Sequence, residues 1–160
     1  MDNEVKAKIL VTLQFSLLGS LLLASHFSSN TTYYPATTLL MVFGFATLTF
    51  AFFALRPSLR ISPIPKAGSP LIARGIYKYV RHPMYLGLLS IGLALAANAS
   101  NTAGWILYLV LMITLNTKAN FEDRLLREIH PESMHYQMHT SKILPCLGGS
   151  CRTNCELKDF

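Results

Sequence analysis

Charged side chains are scarce in this chain, and one long stretch has almost none. Asp, Glu, Lys and Arg make up 14% of the 160 residues, whereas hydrophobic residues make up 51%. Soluble domains of this size carry about 25% charged residues, so the composition argues against one. Between Ile9 and Leu55 the only side chain that titrates near neutral pH is His26. We therefore expect one domain, embedded in a lipid bilayer.

The chain also lacks the patterns of metal-binding and nucleic-acid-binding proteins. Its possible metal ligands near the C-terminus are three cysteines and three histidines: Cys146, Cys151, Cys155, His130, His135 and His139. They contain no Cys-x-x-Cys pair and match no zinc module, so we expect no metal and interpret the cysteines as free thiols. The net charge of +6 is not gathered on one stripe interleaved with aromatic residues. Nucleic acid is therefore not an expected partner.

Four apolar segments predict an all-α, multi-pass membrane protein with four membrane helices. They cover residues 9–27, 36–55, 83–97 and 103–115. The first two reach the roughly 20 residues that a spanning helix needs, whereas the third would cover only about 22 Å of a core about 30 Å thick. The last two are therefore either a tilted pair or a short hairpin. Gly19 and Gly44 offer small faces for close contact between the first two helices and their neighbours.

Basic residues alternate with the apolar segments in a way that predicts the topology. All Lys and Arg residues fall at positions 6 and 8, within 56–81, or from Lys118 onward, and the loops 26–35 and 98–102 contain none. By the positive-inside rule, both termini and the 56–81 loop face the cytoplasm, in a bacterial inner membrane or in the endoplasmic reticulum. A second apolar span follows the first at once, so we interpret the first as a retained helix rather than a signal peptide.

A junction at residues 75–88 joins a basic, aromatic run to an apolar helix. Pro83 suits the first turn of a helix, because it has no N–H group to leave unpaired. Arg81 and His82 therefore lie at a helix N-terminus, where free N–H groups and the helix dipole favour a carboxylate or phosphate. His82 and Tyr85 are three residues apart and share a helix face.

The fourth apolar segment is predicted to continue as a helix up to Pro131 and to form a cytoplasmic helical extension. Its acidic residues have two interpretations, a functional site or a solvated surface stabilised by pairs one turn apart. Such pairs would be Asp123 with Arg127 and Arg124 with Glu128. Glu122 fits the surface interpretation less well, because its nearest basic neighbour on the helix is Lys118 and a carboxylate close to the membrane needs a partner.

Two motifs carry a resemblance to a known family. Arg81-His82-Pro83-Met84-Tyr85 resembles the Arg-His-Pro-x-Tyr signature of the isoprenylcysteine carboxyl methyltransferase and phospholipid methyltransferase superfamily, and Glu122-Asp123-Arg124-Leu125-Leu126 resembles its Glu-Glu-x-x-Leu element. The resemblance spans residues 70–145 and implies one methyltransferase domain. Residues 1–56 would anchor it, residues 57–145 would bind cofactor and catalyse, and residues 146–160 would form a cysteine-containing tail. Ser133 departs from the family pattern, whereas Tyr136 keeps it.

The resemblance implies S-adenosylmethionine as cofactor. The residues implied to bind it are Leu71, Ile72, Tyr77, His82, Pro83, Met84, Tyr85 and Glu122. The first two would offer backbone contacts. The helix N-terminus at His82 would hold the cofactor's carboxylate, and Glu122 would hold its ammonium group or a ribose hydroxyl. The aromatic faces of Tyr77 or Tyr85 would meet the positive sulfur.

Lys118 and Glu122 are the implied catalytic residues. Lys118 stands one turn before Glu122, where the isoprenylcysteine enzymes have an arginine that holds the substrate carboxylate. A lysine keeps the charge but loses the two-pronged geometry, so the lipophilic acceptor could be an isoprenylcysteine carboxylate, a phospholipid amine or another small amphiphile. Alternatively, Lys118 extends to the lipid headgroups as a helix-end anchor.

Two other function classes stay open from the sequence. One is an NADPH-dependent sterol or steroid reductase, whose C-terminal half is similar but which favours an Arg-Asp-Glu element that is absent here. The other is a membrane scaffold without enzymatic activity. Binding of S-adenosylmethionine or of NADPH would discriminate between the three classes.

Overall fold

The protein is a bundle of helices. The computed structural model describes residues 3–28, 35–55, 75–131 and 133–144. Its α-helices are α1 (Asn3–His26), α2 (Pro35–Leu55), α3 (Pro83–Ala99), α4 (Thr102–Ile129) and α5 (Ser133–His139), with a 3-10 turn, Gly75–Lys78, ahead of α3. These described ranges contain no β-strand, only an isolated bridge between Val80 and Ser141. The predicted all-α class is confirmed.

Three of these helices are long and apolar enough to cross a membrane. They are α1, α2 and α4, whereas the apolar α3 has 17 residues and spans about 26 Å. Large apolar side chains point outward from the bundle, among them Phe15 (62% exposed), Leu39 (70%) and Phe50 (68%). Such surfaces suit lipid rather than water. The protein is thus an integral membrane protein, while a fourth crossing by α3 stays a prediction.

The turn between α3 and α4 is tight. Ser100 has a φ of 50°, in the left-handed region, and ends α3. Asn101 then caps α4, because its side-chain oxygen accepts the Gly104 N–H at 2.8 Å. From there α4 continues for 28 residues without a break, so the predicted extension of this helix almost to Pro131 is confirmed. At about 42 Å it is longer than the bilayer core is thick, and its polar end reaches past the apolar part of the bundle.

The interior of the bundle is formed by α1, α3 and α4, with α2 packed against α3. Its buried cluster is Leu17, Leu21, Tyr85, Ile91, Leu95, Ala96, Leu111, Leu115 and Ala119. Two glycines, Gly44 of α2 and Gly87 of α3, let these helices approach each other closely. A Cβ at Gly44 would lie 2.9 Å from the Gly87 carbonyl oxygen and 2.7 Å from Ile91 Cγ1. The predicted small face at Gly44 is confirmed, whereas that at Gly19 is wrong, because nothing lies within 4 Å of its Cβ position.

This difference between two glycines gives the first prediction. Gly44→Ala should destabilise the protein by about 1–3 kcal/mol, since the methyl group overlaps backbone atoms that cannot move independently. Gly19→Ala is the matched control and should leave stability unchanged or raise it by up to about 1 kcal/mol, because alanine favours a helix and nothing lies within 4 Å of the added methyl group. Thermal unfolding of the detergent-purified variants measures both. Equal effects of the two substitutions would contradict the close contact at Gly44.

Candidate functional site

A C-terminal strap, residues 140–144, holds the segment ahead of α3 in place. The Arg81 N–H donates to the Ser141 carbonyl at 2.8 Å, and the His82 N–H donates to the Lys142 carbonyl at 3.0 Å. The Lys142 ammonium in turn donates to the side-chain oxygens of Asn116 and Asn120 on α4, at 2.5 and 2.6 Å. The strap is therefore tied on one side to the junction and on the other to α4.

Two tyrosines, Tyr77 just before α3 and Tyr136 on α5, also hold the segment ahead of α3 in place. The Tyr136 hydroxyl of α5 donates to the Tyr77 carbonyl at 2.5 Å, and burial raises the pKa of Tyr136 far above its ordinary value. Burial, with a smaller contribution from the Glu122 charge, raises the pKa of Tyr77 to about 12. Both phenols thus stay neutral at physiological pH and keep their protons for donation.

The start of α3 follows the sequence prediction. Pro83 occupies the first turn and His82 is the N-cap residue, with φ −121° and ψ 63°. The His82 side chain does not cap the helix. Its ring stacks on the Tyr85 ring instead, with centroids 5.1 Å apart and planes 5° from parallel, so the predicted shared face is confirmed. From this stacked position the ring nitrogens of the imidazole face α4.

On α4 the His82 ring meets two carboxylates at once. His82 Nε2 lies 3.0 Å from Asp123 Oδ1, and Nδ1 lies 3.6 Å from Glu122 Oε2. The side chains of His82, Asp123 and Glu122 are 12%, 10% and 20% exposed. Glu122 and Asp123, about forty residues later in the chain, thus hold the N-terminus of α3 against the polar part of α4. The solvated-surface interpretation of this acidic pair is wrong.

Asp123 has a further partner that the sequence pattern did not indicate. Arg81 Nη1 lies 3.4 Å from Asp123 Oδ2, and the Arg81 side chain is 14% exposed. The predicted pairing of Asp123 with Arg127 is therefore wrong, because Asp123 faces α3 instead of water. The other predicted pair is confirmed: Arg124 and Glu128 lie 3.7 Å apart on the exposed face.

Lys118 lies inside the bundle, one turn deeper than Glu122. It is 7% exposed, and its ammonium donates to Gln14 Oε1 of α1 at 2.9 Å. The same ammonium lies 5.1 Å from the centre of the Tyr85 ring, a cation–π distance. The alternative in which Lys118 extends to the headgroups is wrong here. Gln14 was missed; its only signal was an amide in an otherwise apolar segment.

These contacts join most of the predicted site into one chain of side chains. It runs from Lys118 through Tyr85 and His82 to Glu122. Met84 packs against the buried cluster instead. Leu71 and Ile72 lie outside the described residues. The described part of the chain contains no group of three or more His, Cys, Asp or Glu side chains that could hold a metal ion.

Comparison with protein families gives a match over the region that builds this site. The model of the isoprenylcysteine carboxyl methyltransferase family matches residues 36–128, more than half of the chain and inclusive of both motifs. The chain belongs to this family. Curated proteins and solved structures gave no match. Membership of the isoprenylcysteine carboxyl methyltransferase family implies methyl transfer as the chemistry and a membrane as its place.

Some residues of the site lie inside the family match and others lie outside it. His82, Tyr85, Lys118 and Glu122 lie within the matched residues 36–128. The side chain that holds Lys118, Gln14, lies outside them on α1, and so do Tyr136 and the strap. The family region therefore supplies the central residues, and the flanking segments of this chain supply their supports.

Proposed function

We propose that this protein transfers a methyl group from S-adenosylmethionine to a lipophilic acceptor drawn from the bilayer. The observation that carries the proposal is the bridge from His82 to Glu122 and Asp123, which unites the two family motifs in one buried polar site. Methyl transfer from a sulfonium is an in-line displacement, so the protein must mainly align donor and acceptor and exclude water. A site that is 20% exposed or less meets the second need.

The residues present fit the cofactor. Arg81 Nε is buried and has no hydrogen-bond partner among the described residues, as suits a guanidinium that faces a carboxylate. Glu122 offers a carboxylate for the ammonium group or a ribose hydroxyl. Tyr77 offers an aromatic face for the positive sulfur. Bound S-adenosylmethionine would supply an electrophilic methyl group at this place.

The residues of the chain then have separate tasks. His82 fixes the two carboxylates relative to each other, because each of its ring nitrogens faces one of them. Tyr85 supports His82 by stacking on its ring, and the Tyr85 ring also contacts the Lys118 ammonium. Lys118 would hold an anionic group of the acceptor, since its ammonium is buried between α1 and α4.

The surface of the bundle supports a lipophilic acceptor. Its outer helix faces are apolar, and the buried Lys118 lies between α1, α3 and α4. We propose that the acceptor enters sideways from the bilayer and the cofactor from the cytoplasm. The same proposal places both termini and the 56–81 loop on the cytoplasmic side, from the distribution of Lys and Arg.

Binding of radiolabelled S-adenosylmethionine to the detergent-purified protein tests the proposed function. We expect saturable binding near one molecule per chain, which excess unlabelled S-adenosylmethionine displaces and NADPH does not. Saturable NADPH binding instead would favour a reductase. Binding of neither would leave a scaffold and overturn the proposal. Incubation of a lipid extract with protein and methyl-labelled cofactor then identifies the acceptor as the labelled product.

A further inference from the structure

A basic cleft lies beside the site, on another face of α4. Its volume is about 550 Å³, and its lining includes five cationic side chains against one carboxylate, Asp123: Lys6, Arg81, Arg124, Arg127 and Lys142. Arg124 and Arg127 lie about 160° and 140° around the helix axis from Glu122, by the 100° rotation per residue of an α-helix. Arg81 and Asp123 belong both to the cleft and to the proposed methyl-transfer site, whereas Arg124 and Arg127 face away from Glu122.

Only some of these cations are neutralised by the protein. Arg81 is paired with Asp123 and Arg124 with Glu128, whereas the Lys142 ammonium is held by uncharged asparagine oxygens. Lys6 and Arg127 have no ion-pair or hydrogen-bond partner among the described residues. The cleft therefore has an excess of positive charge that an external anion can neutralise.

The position of the cleft in the bundle indicates where that anion comes from. Gln14 of α1 contacts Lys118 of α4, and Lys6 and Arg127 meet at the cleft, so the two helices run in opposite directions. Lys6 is eight residues before Gln14, and Arg127 is nine residues after Lys118. Both therefore lie about 12–14 Å beyond that buried contact, towards the same end of the bundle.

Exposed apolar side chains occur at the level of the cleft. On α1, Val5 is 44% exposed and Ile9 is 50% exposed, while Phe121 lines the cleft itself. A charged cleft with apolar neighbours at the end of a spanning helix lies at the boundary between headgroups and acyl chains. A lipid headgroup fits this level better than a soluble anion does.

We propose that the cleft binds the phosphate of an anionic phospholipid headgroup, with Lys6 and Arg127 as its main ligands. Arg127 would contact two phosphate oxygens through its guanidinium, and Lys6 would act as a point charge. The Phe121 ring would pack against the glycerol end of the lipid. Such a lipid would sit against α1 and α4 close to the site without taking part in methyl transfer.

Native mass spectrometry of the full chain in detergent, titrated with dioleoyl phosphatidylglycerol, tests this proposal. We expect a 1:1 adduct with a dissociation constant at least fivefold lower than for dioleoyl phosphatidylcholine. Lys6→Gln and Arg127→Gln should each weaken phosphatidylglycerol binding about fivefold. Lys8→Gln is the matched control, because Lys8 is two residues away, pairs with Glu4 at 3.9 Å and does not line the cleft. It should stay within twofold of the unaltered chain.

Each other outcome would overturn the proposal. Equal weakening by Lys6→Gln and Lys8→Gln would mean that diffuse charge attracts the lipid, without a site. Equal affinity for phosphatidylcholine would mean that the cations of the cleft do not select an anionic headgroup. Displacement of the lipid by millimolar inorganic phosphate would identify a soluble phosphate as the ligand. Binding of S-adenosylmethionine should be the same in all three variants, so failure of the lipid site and failure of the proposed methyl transfer are separate results.

Discussion

Replacing Glu122 with glutamine should weaken S-adenosylmethionine binding by about 1.5–3 kcal/mol, or roughly ten- to a hundredfold, the usual contribution of a hydrogen bond to a charged group. The substitution keeps the shape of the side chain and removes its charge. Glu122 contacts the protein mainly through a 3.6 Å approach to His82, so much of its hydrogen-bonding capacity is available to a ligand. Isothermal titration of the purified protein with the cofactor measures the change.

The neighbouring Asp123 provides the control. It is about as buried as Glu122, but its oxygens are already engaged by Arg81 at 3.4 Å and His82 at 3.0 Å. Asp123→Asn should therefore lower the free energy of unfolding by about 3 kcal/mol, because it leaves Arg81 buried without a counter-charge. Its effect on cofactor affinity should be smaller than that of Glu122→Gln. A cofactor affinity that stays within twofold in Glu122→Gln would mean that Glu122 has only a structural role.

Replacing Lys118 with methionine should lower kcat/KM for the methyl acceptor at least tenfold and leave S-adenosylmethionine affinity within twofold. Methionine has a similar length and no charge to bury, but it leaves the buried Gln14 amide oxygen without its donor, so the variant should lose no more than about 1–3 kcal/mol of stability. Lys118→Arg should retain activity, because it keeps the cation and adds a second donor arm. Steady-state rates at saturating cofactor, with the acceptor identified by product labelling, measure these effects.

The arginine variant is also the control for this experiment. An equal loss in Lys118→Met and Lys118→Arg would mean that the contact with Gln14, and not the charge, is what matters. A parallel loss of cofactor affinity would place Lys118 in the cofactor site. An unchanged kcat/KM in Lys118→Met would exclude a role in acceptor binding.

Local chemistry made much of the fold predictable. Apolar runs gave both ends of α2, the end of α1 and the start of α4 to within one residue, because a bilayer needs about 20 apolar residues for each crossing. The start of α1 lies six residues before the predicted Ile9. Pro83 fixed the start of α3, and the lack of a breaker before Pro131 fixed the length of α4. Each of these features depends on residues that are close together in the sequence, so no tertiary contact was needed to infer it.

The partners of Asp123 and Lys118 could not be found in the same way. Asp123 can reach Arg127 one turn along its own helix or Arg81 forty-two residues earlier, and only the packing of α3 on α4 selects Arg81. Gln14 lies on a helix that the sequence presented as an anchor. It becomes a site residue because α1 and α4 pack side by side. Tertiary packing, and not local propensity, decides such pairs.

The strap has a consequence for the order in which this protein matures. Arg81 and His82 depend on carbonyl groups about sixty residues later, at Ser141 and Lys142. Because the strap contacts the junction and α4 at once, it can dock in full only after α3 and α4 have packed against each other. Closing a loop of about sixty residues adds an entropic cost to this final step of assembly.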